Sequence, residues 1–290
     1  MAGFTANDAI TKYMSEVMNM GQVMLLRGVF ASIFVGALAW HQGAFKAIGH
    51  VGHPLLLLRM TSEVLATVTF LVALAHLPIA NVSSVLQALP LTVTMGAALV
   101  YGEKVGWRRL LAITVGFVGV AIIVRPGYEG FSAYSLMALA SVFFCTLRDL
   151  ATKRIPQQIP TSLISAATAM AVTLCGALMV GPMGGWKPVS ALDVGLVAVA
   201  AVLLLIGYQF IVKAMRVGDI SFIAPFRYMS LLWSIALGFV VFGDIPDLAM
   251  IAGSGIIVAS GLYMLYRERV VGRTRIAAES TGPTMAPDGI

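Results

Sequence analysis

Seven ionisable side chains fall inside apolar stretches of this sequence: Arg27, Arg59, Arg148 and Arg227, with Asp8, Glu63 and Asp149. A charge at the centre of a bilayer costs at least about 2.5–3.5 kcal/mol, so such residues are candidates for work. A guanidinium binds an anion, and a carboxylate binds a cation or carries a proton. Arg59 and Glu63 are four apart and share a helical face. They read either as a self-neutralising pair or as a setting in which Glu63 titrates a proton. Asp8 and Lys12, like Asp149 and Lys153, repeat that spacing. Each pair reads as a latch at one end of a pathway, coupled to its opening, or as a helix-end anchor. Arg148 stands beside Asp149 and has Asn7 at the matched position. Arg27 and Arg227 each lie about eight residues into their helices, roughly 12 Å from the entry face. Arg227 shares a face with Ser230 and Ser234. It either meets a solute or gate, or pairs with a carbonyl freed near Pro225.

Uncharged candidates accompany these charges. Gln87, Tyr208 and Gln209 offer hydrogen bonds to a solute or to a neighbouring helix, while Phe226, Tyr228 and Trp233 offer flat aromatic surface. Catalytic patterns are absent. His50-Val-Gly-His53 has no nearby Cys or carboxylate to complete a metal site, no phosphate-cradling loop or HExxH occurs, and the serines form no triad pattern in sequence. The sequence therefore reads as non-enzymatic, with no metal and no cofactor.

Helices must carry these groups. Hydrophobic residues make up 59% of the 290 and charged residues 11%, against about 45–50% and about 25% in soluble domains. Apolar runs of about twenty residues match a hydrocarbon core of about 30 Å. The fold class expected is an all-α membrane protein with ten transmembrane helices, over 1–13, 19–42, 54–76, 79–102, 106–125, 132–154, 159–181, 190–213, 219–243 and 246–266. The first reaches only about 20 Å, which suggests a start upstream of Met1. Pro90 and Pro225 each remove a backbone donor, so the fourth and ninth helices are expected to break and line a pathway. No cleavable signal peptide is visible, and Cys145 and Cys175 sit in apolar runs as free thiols.

The formal charge of +6 is spread along the chain without a basic patch, which excludes a nucleic-acid surface. Its distribution reports topology instead. With the N-terminus inside, twelve Lys and Arg fall in cytoplasmic segments and three, Lys12, Arg125 and Lys187, outside. Both termini are therefore expected in the cytoplasm.

The chain also repeats itself. Phe4-Thr-Ala-Asn-Asp-Ala-Ile-Thr-Lys12 aligns with Cys145-Thr-Leu-Arg-Asp-Leu-Ala-Thr-Lys153 at an offset of 141 residues. The same offset lays Leu99-Val-Tyr-Gly-Glu103 on Val240-Val-Phe-Gly-Asp244. Residues 1–127 and 128–267 are thus expected to be duplicates. Five spans in each insert the second upside down relative to the first. The Ser-, Thr-, Gly- and Pro-containing tail at 268–290 reads as disordered.

This combination resembles the drug/metabolite transporter superfamily, EamA type. The resemblance covers about residues 4–267 and is carried by Asn-Asp-Ala-Ile-Thr-Lys-Tyr at 7–13 and the Gly-Glu and Gly-Asp ends of helices four and nine. Leu-Leu-Arg-Gly at 25–28, Asn-Val-Ser-Ser-Val-Leu-Gln-Ala-Leu-Pro at 81–90 and Ala-Pro-Phe-Arg-Tyr at 224–228 are similar to bacterial riboflavin transporters. The S-adenosylmethionine uptake branch is similar over the same segments. The resemblance implies gradient-driven movement of an organic solute by alternating access in a bacterial inner membrane, with proton or ion coupling. The expected partners are the small solute and the lipid bilayer, for a monomer or homodimer. Riboflavin leads as substrate. Arg27, Glu63, Gln87, Tyr208, Gln209, Phe226, Arg227, Tyr228 and Trp233 are its expected contacts. Excess central arginine argues for a neutral aromatic or anionic solute over a cation.

Overall fold

The computed structural model describes residues 2–102, 106–125, 132–156, 158–217 and 228–280, with the backbone alone at 207–217 and 268–280. All regular elements among them are helical. In order they are α1 (Ala2–Val17), α2 (Met20–His41), a 3-10 segment (Ala44–Gly52), α3 (Pro54–His76), α4 (Ile79–Leu86), α5 (Leu89–Tyr101) and α6 (Trp107–Val124). There follow α7 (Ala133–Arg154), α8 (Thr161–Val180), α9 (Ala191–Val217), α10 (Met229–Phe242) and α11 (Leu248–Ser280).

Seven described stretches are long and apolar enough to cross a membrane, counting Ile79–Tyr101 as one and taking Leu248–Arg267 from α11. Shorter apolar stretches lie at Ala191–Ile206 and Met229–Phe242. The chain is a multi-pass membrane protein. Its surface carries large apolar side chains such as Leu99, Leu178 and Val240, while Thr5, Asn7, Gln22, Ser84 and Thr146 are buried. Lipid is as apolar as leucine, so packing and polar contacts between helices hold the interior together.

Local chemistry sets the helix ends. Asn19 caps α2 by accepting from the Gln22 N–H, and Ser132 caps α7 by accepting from Tyr134. Gly102 and Gly243 end α5 and α10 with φ of 67° and 69°, a left-handed turn that glycine adopts at little cost. The two Gly-acid motifs in the sequence are therefore the same helix stop, 141 residues apart.

Three boundaries differ from expectation. The first helix continues to Val17 rather than stopping at 13. The fourth span is two helices, joined at Gln87 and Ala88 shortly before Pro90, as the missing donor predicts. The last helix keeps helical backbone to Ser280, well past 266. Arg, Ala and Glu there are good helix formers, and the first proline after it is Pro283.

The most extensive helix packing joins the N-terminal half to the C-terminal half: α2 with α8, α3 with α7, α6 with α11 and α1 with α9. Small residues allow the close crossings. A Cβ on Gly28 would lie 3.0 Å from Thr173 Cα, and one on Gly119 would lie 2.8 Å from Gly253 O. The contacts recur at the offset of 141. Gly119 meets Gly253 where α6 crosses α11, and at the matched positions Ser260 Oγ donates to Ala112 O at 2.5 Å. α5 packs on α7, and its matched helix α10 packs on α1.

Candidate functional site

A cavity of about 340 Å³ opens where α1, α3, α7, α10 and the α4–α5 break converge. Stripes at helical spacing aim side chains into it. Glu63, Thr67 and Phe70 come from α3, and Ser141, Cys145 and Arg148 from α7, both at steps of four and three. α1 supplies Phe4, Thr5 and Asp8. The break contributes Ser83, Leu86, Gln87, Leu89 and Pro90, and α10 contributes Ser230. Interrupted helix at membrane depth is tolerated where it faces protein or a cavity, and here it does.

Charge is arranged around Arg148. Its Nη1 lies 3.3 and 3.4 Å from the two carboxylate oxygens of Glu63, and its Nε donates to Asp149 Oδ1 at 2.8 Å. The Glu63 contacts exceed the 2.7–2.9 Å of a tight charge-assisted bond, which marks an ion pair with room to separate. Across the cavity, Asp8 Oδ1 accepts from Asn7 Nδ2 at 2.9 Å. Arg27 is close enough to Asp8 and Glu63 to act on both electrostatically, and its Nη1 reaches Thr11 Oγ1 at 3.5 Å. Neutral groups complete the wall. Gln87 Nε2 donates to Ser230 Oγ at 2.7 Å, Ser234 Oγ donates to Ser83 Oγ at 2.7 Å, and Thr92 and Thr146 share a 2.7 Å hydroxyl contact.

The expected i, i+4 pairs give way to contacts between helices. Glu63 binds Arg148, while Arg59 donates to Thr152 at 2.9 Å and Thr168 at 2.5 Å. Lys12 does not turn to Asp8. Its ammonium donates to Leu77 O, lies 4.0 Å from Asp244 and sits 5.2 Å from the centre of the Phe242 ring. Lys153 lies 5.4 Å from the Tyr101 ring centre, and Asp149 receives Arg148. Long side chains reach a neighbouring helix as readily as their own next turn, and in lipid the contact between helices also excludes the bilayer. Tyr101 and Phe242 are matched by the offset, so each lysine covers the equivalent ring at the end of the other half's broken or shortened helix.

Of the expected solute contacts, Glu63 and Gln87 lie on the cavity wall, as do Asp8 and Arg148, which the sequence suggests as gating or coupling groups. Arg27 stands behind the wall. Tyr228 and Trp233 are corrected: Tyr228 is buried against α11, where a Cβ on Gly261 would collide with its ring, and Trp233 is 46% exposed on the outside. Phe226 and Arg227 lie outside the described residues, as do the side chains of Tyr208 and Gln209. Sequence reasoning missed Phe4, Thr5, Phe70, Ser83 and Ser141. Their signal was a polar residue recurring every three or four places along otherwise apolar helices. Among the described residues no group of three or more His, Cys, Asp or Glu is placed to hold a metal ion.

Known proteins share this architecture. Residues 1–125 match the model of the EamA-like transporter family. The riboflavin transporter of Vibrio cholerae is 30% identical over 210 residues, covering 72% of this chain and 70% of that protein. The pseudopaline exporter of Pseudomonas aeruginosa is 25% identical over 263 residues, covering 89% and 90%. The S-adenosylmethionine uptake transporter of Rickettsia prowazekii is 25% identical over 270 residues, covering 91% and 88%. A solved crystal structure shares the fold with a TM-score of 0.58 at 17% identity, covering 91% of this chain and 95% of that one. A multi-pass helical chain with a polar cavity at a helix break, matched over this length, belongs to the EamA-like transporter family of the drug/metabolite transporter superfamily.

Proposed function

We propose that this protein is a secondary active transporter that moves a small organic metabolite across a bacterial inner membrane by alternating access. The observation that carries the reading is the cavity itself. It sets paired charges and hydrogen-bonding groups beside an interrupted helix, inside a bundle whose outer surface is apolar. We read the bundle as ten spans in two inverted halves, 1–127 and 128–267, with both termini cytoplasmic. The recurrence of contacts at the 141-residue offset supports that arrangement, and so does the excess of Lys and Arg in the segments assigned to the inside. In this reading Lys12 and Lys153 close opposite ends of the pathway, each against an aromatic ring of the other half.

The relatives are named for riboflavin, S-adenosylmethionine and pseudopaline, so the substrate is chosen within a range of metabolites. Riboflavin is the lead from the sequence. The cavity offers it Phe4 and Phe70 as flat surface, with Gln87, Ser83 and Ser230 for hydroxyl groups. A second reading, an amino-acid-like metabolite, is favoured by the two carboxylates and one guanidinium on the same wall. Uptake of labelled metabolites into proteoliposomes, beside empty vesicles and a Glu63→Gln variant that still inserts, tests transport. Rescue of a riboflavin auxotroph at limiting vitamin tests the lead substrate. If no metabolite in a broad panel crosses faster than in empty vesicles, the transport reading falls.

A further inference from the structure

The charges around the cavity do not balance. Asp8, Glu63 and Asp149 supply three carboxylates, and Arg27 and Arg148 supply two guanidiniums. Arg148 is engaged by Glu63 and Asp149 together. Arg27 is shared electrostatically between Asp8 and Glu63 and makes no direct ion pair with either among the described contacts. Asp8 is therefore the carboxylate with the least compensation, held by a neutral amide and a guanidinium at a distance. An uncompensated charge within a membrane-spanning bundle is costly, so the cluster is one positive charge short.

A second feature points the same way. Ser141 is 1% exposed and lines the same cavity. Its Oγ lies near the Cys145 thiol but makes no hydrogen bond of acceptable geometry. Buried hydroxyls are normally satisfied, and this one faces the space a solute would fill. With Glu63 and Asp8, the wall presents an acceptor-rich surface whose one guanidinium is already engaged.

We infer that the transported solute carries a cationic centre, a protonated amine or an onium group, which seats against Asp8 in this cavity and completes its charge. The inference rests on the transporter reading and narrows it. It reverses the expectation from sequence that arginine excess disfavours cations: Arg27 stands behind the wall, and Arg148 is neutralised by two acids. An anionic group elsewhere on the solute would exchange with Glu63 for Arg148, whose 3.3–3.4 Å contacts are the looser of its two pairings.

Binding of S-adenosylmethionine, its uncharged-sulfur counterpart S-adenosylhomocysteine, the amine agmatine and riboflavin to the purified full chain in detergent tests this. The same four labelled probes are then followed in proteoliposomes. The expected result is binding and uptake of at least one cationic probe, weakened about tenfold to a hundredfold by Asp8→Asn. Asp8→Glu should recover most of that loss. Fluorescence-detected size exclusion of each variant establishes that it inserts and folds. The inference is overturned if riboflavin is carried and no cationic probe is, or if well-folded Asp8→Asn binds cations as wild type does. It is overturned too if a proton alone supplies the missing charge, seen as cation binding that is absent at every pH. Should none of the probes, nor any of a wider panel, cross faster than in empty vesicles, the transport reading fails along with it.

Discussion

Ser32 Oγ and Thr173 Oγ1 meet at 3.1 Å, and they are 141 residues apart. That separation is the repeat offset. Two positions related by the offset and touching each other mark the line about which one half exchanges with the other, at the crossing of α2 and α8. The proposed inverted repeat requires such a line.

The crossing depends on Gly28. Its Gly28→Val variant would drive a side chain into Thr173, where even a Cβ stands 3.0 Å from the backbone. Overpacking of this kind costs about 1–3 kcal/mol. A thermal-shift melt in detergent should show a clear fall in Tm. Gly36, on the same helix, leaves open space within 4 Å of where a Cβ would stand, so Gly36→Val should leave the melt unchanged.

The Glu63–Arg148 pair makes a different prediction. Removing one member of a buried pair costs up to about 3–5 kcal/mol, less here because the side chains keep 24% and 22% of their exposure. Either Glu63→Gln or Arg148→Gln should melt lower than wild type, and the double variant should regain part of the loss. A double-mutant cycle read by Tm reports the coupling. Transport should be lost in all three, since the double variant restores packing without restoring charge.

Helix identity and the repeat were legible in the sequence because a bilayer leaves few choices: apolar runs become helices, and Pro90 has no N–H to continue one. The side-chain partners were not. Arg59 and Glu63 share a face by spacing, yet the α3–α7 packing brings Arg148 to Glu63 and Thr152 to Arg59, and spacing within one helix carries no information about that neighbour. Trp233 failed for a related reason. Periodicity locates a residue on a helix, but which face turns to lipid depends on where the other helices stand.

Lys12 tethers the end of α1 to Leu77 O and Asp244. In Lys12→Met that end should open more often. With Cys145 and Cys175 replaced by serine and a cysteine introduced at Thr5, labelling by a membrane-impermeant maleimide should quicken by about fivefold or more. That factor corresponds to about 1 kcal/mol of lost closure. An unchanged rate would separate Lys12 from closure.

Gln87 stands at the helix break and holds Ser230 across the cavity. Gln87→Leu keeps the volume and removes the amide, so one hydrogen bond of about 1 kcal/mol disappears. The apparent KM for the transported metabolite should rise about fivefold with protein abundance unchanged.

The packing of each helix on a partner from the opposite half also bears on how the protein is made. α1, α2 and α3 leave the ribosome long before α7, α8 and α9 exist to receive them. The early helices must therefore wait in the bilayer with Asn7, Asp8 and Glu63 unsheltered, as separate insertions and not as a folded half. Assembly of the bundle is in this sense a late, collective event: the second five-span stretch serves as the folding template of the first, and a chain halted near its midpoint would present its own charges to lipid quality control.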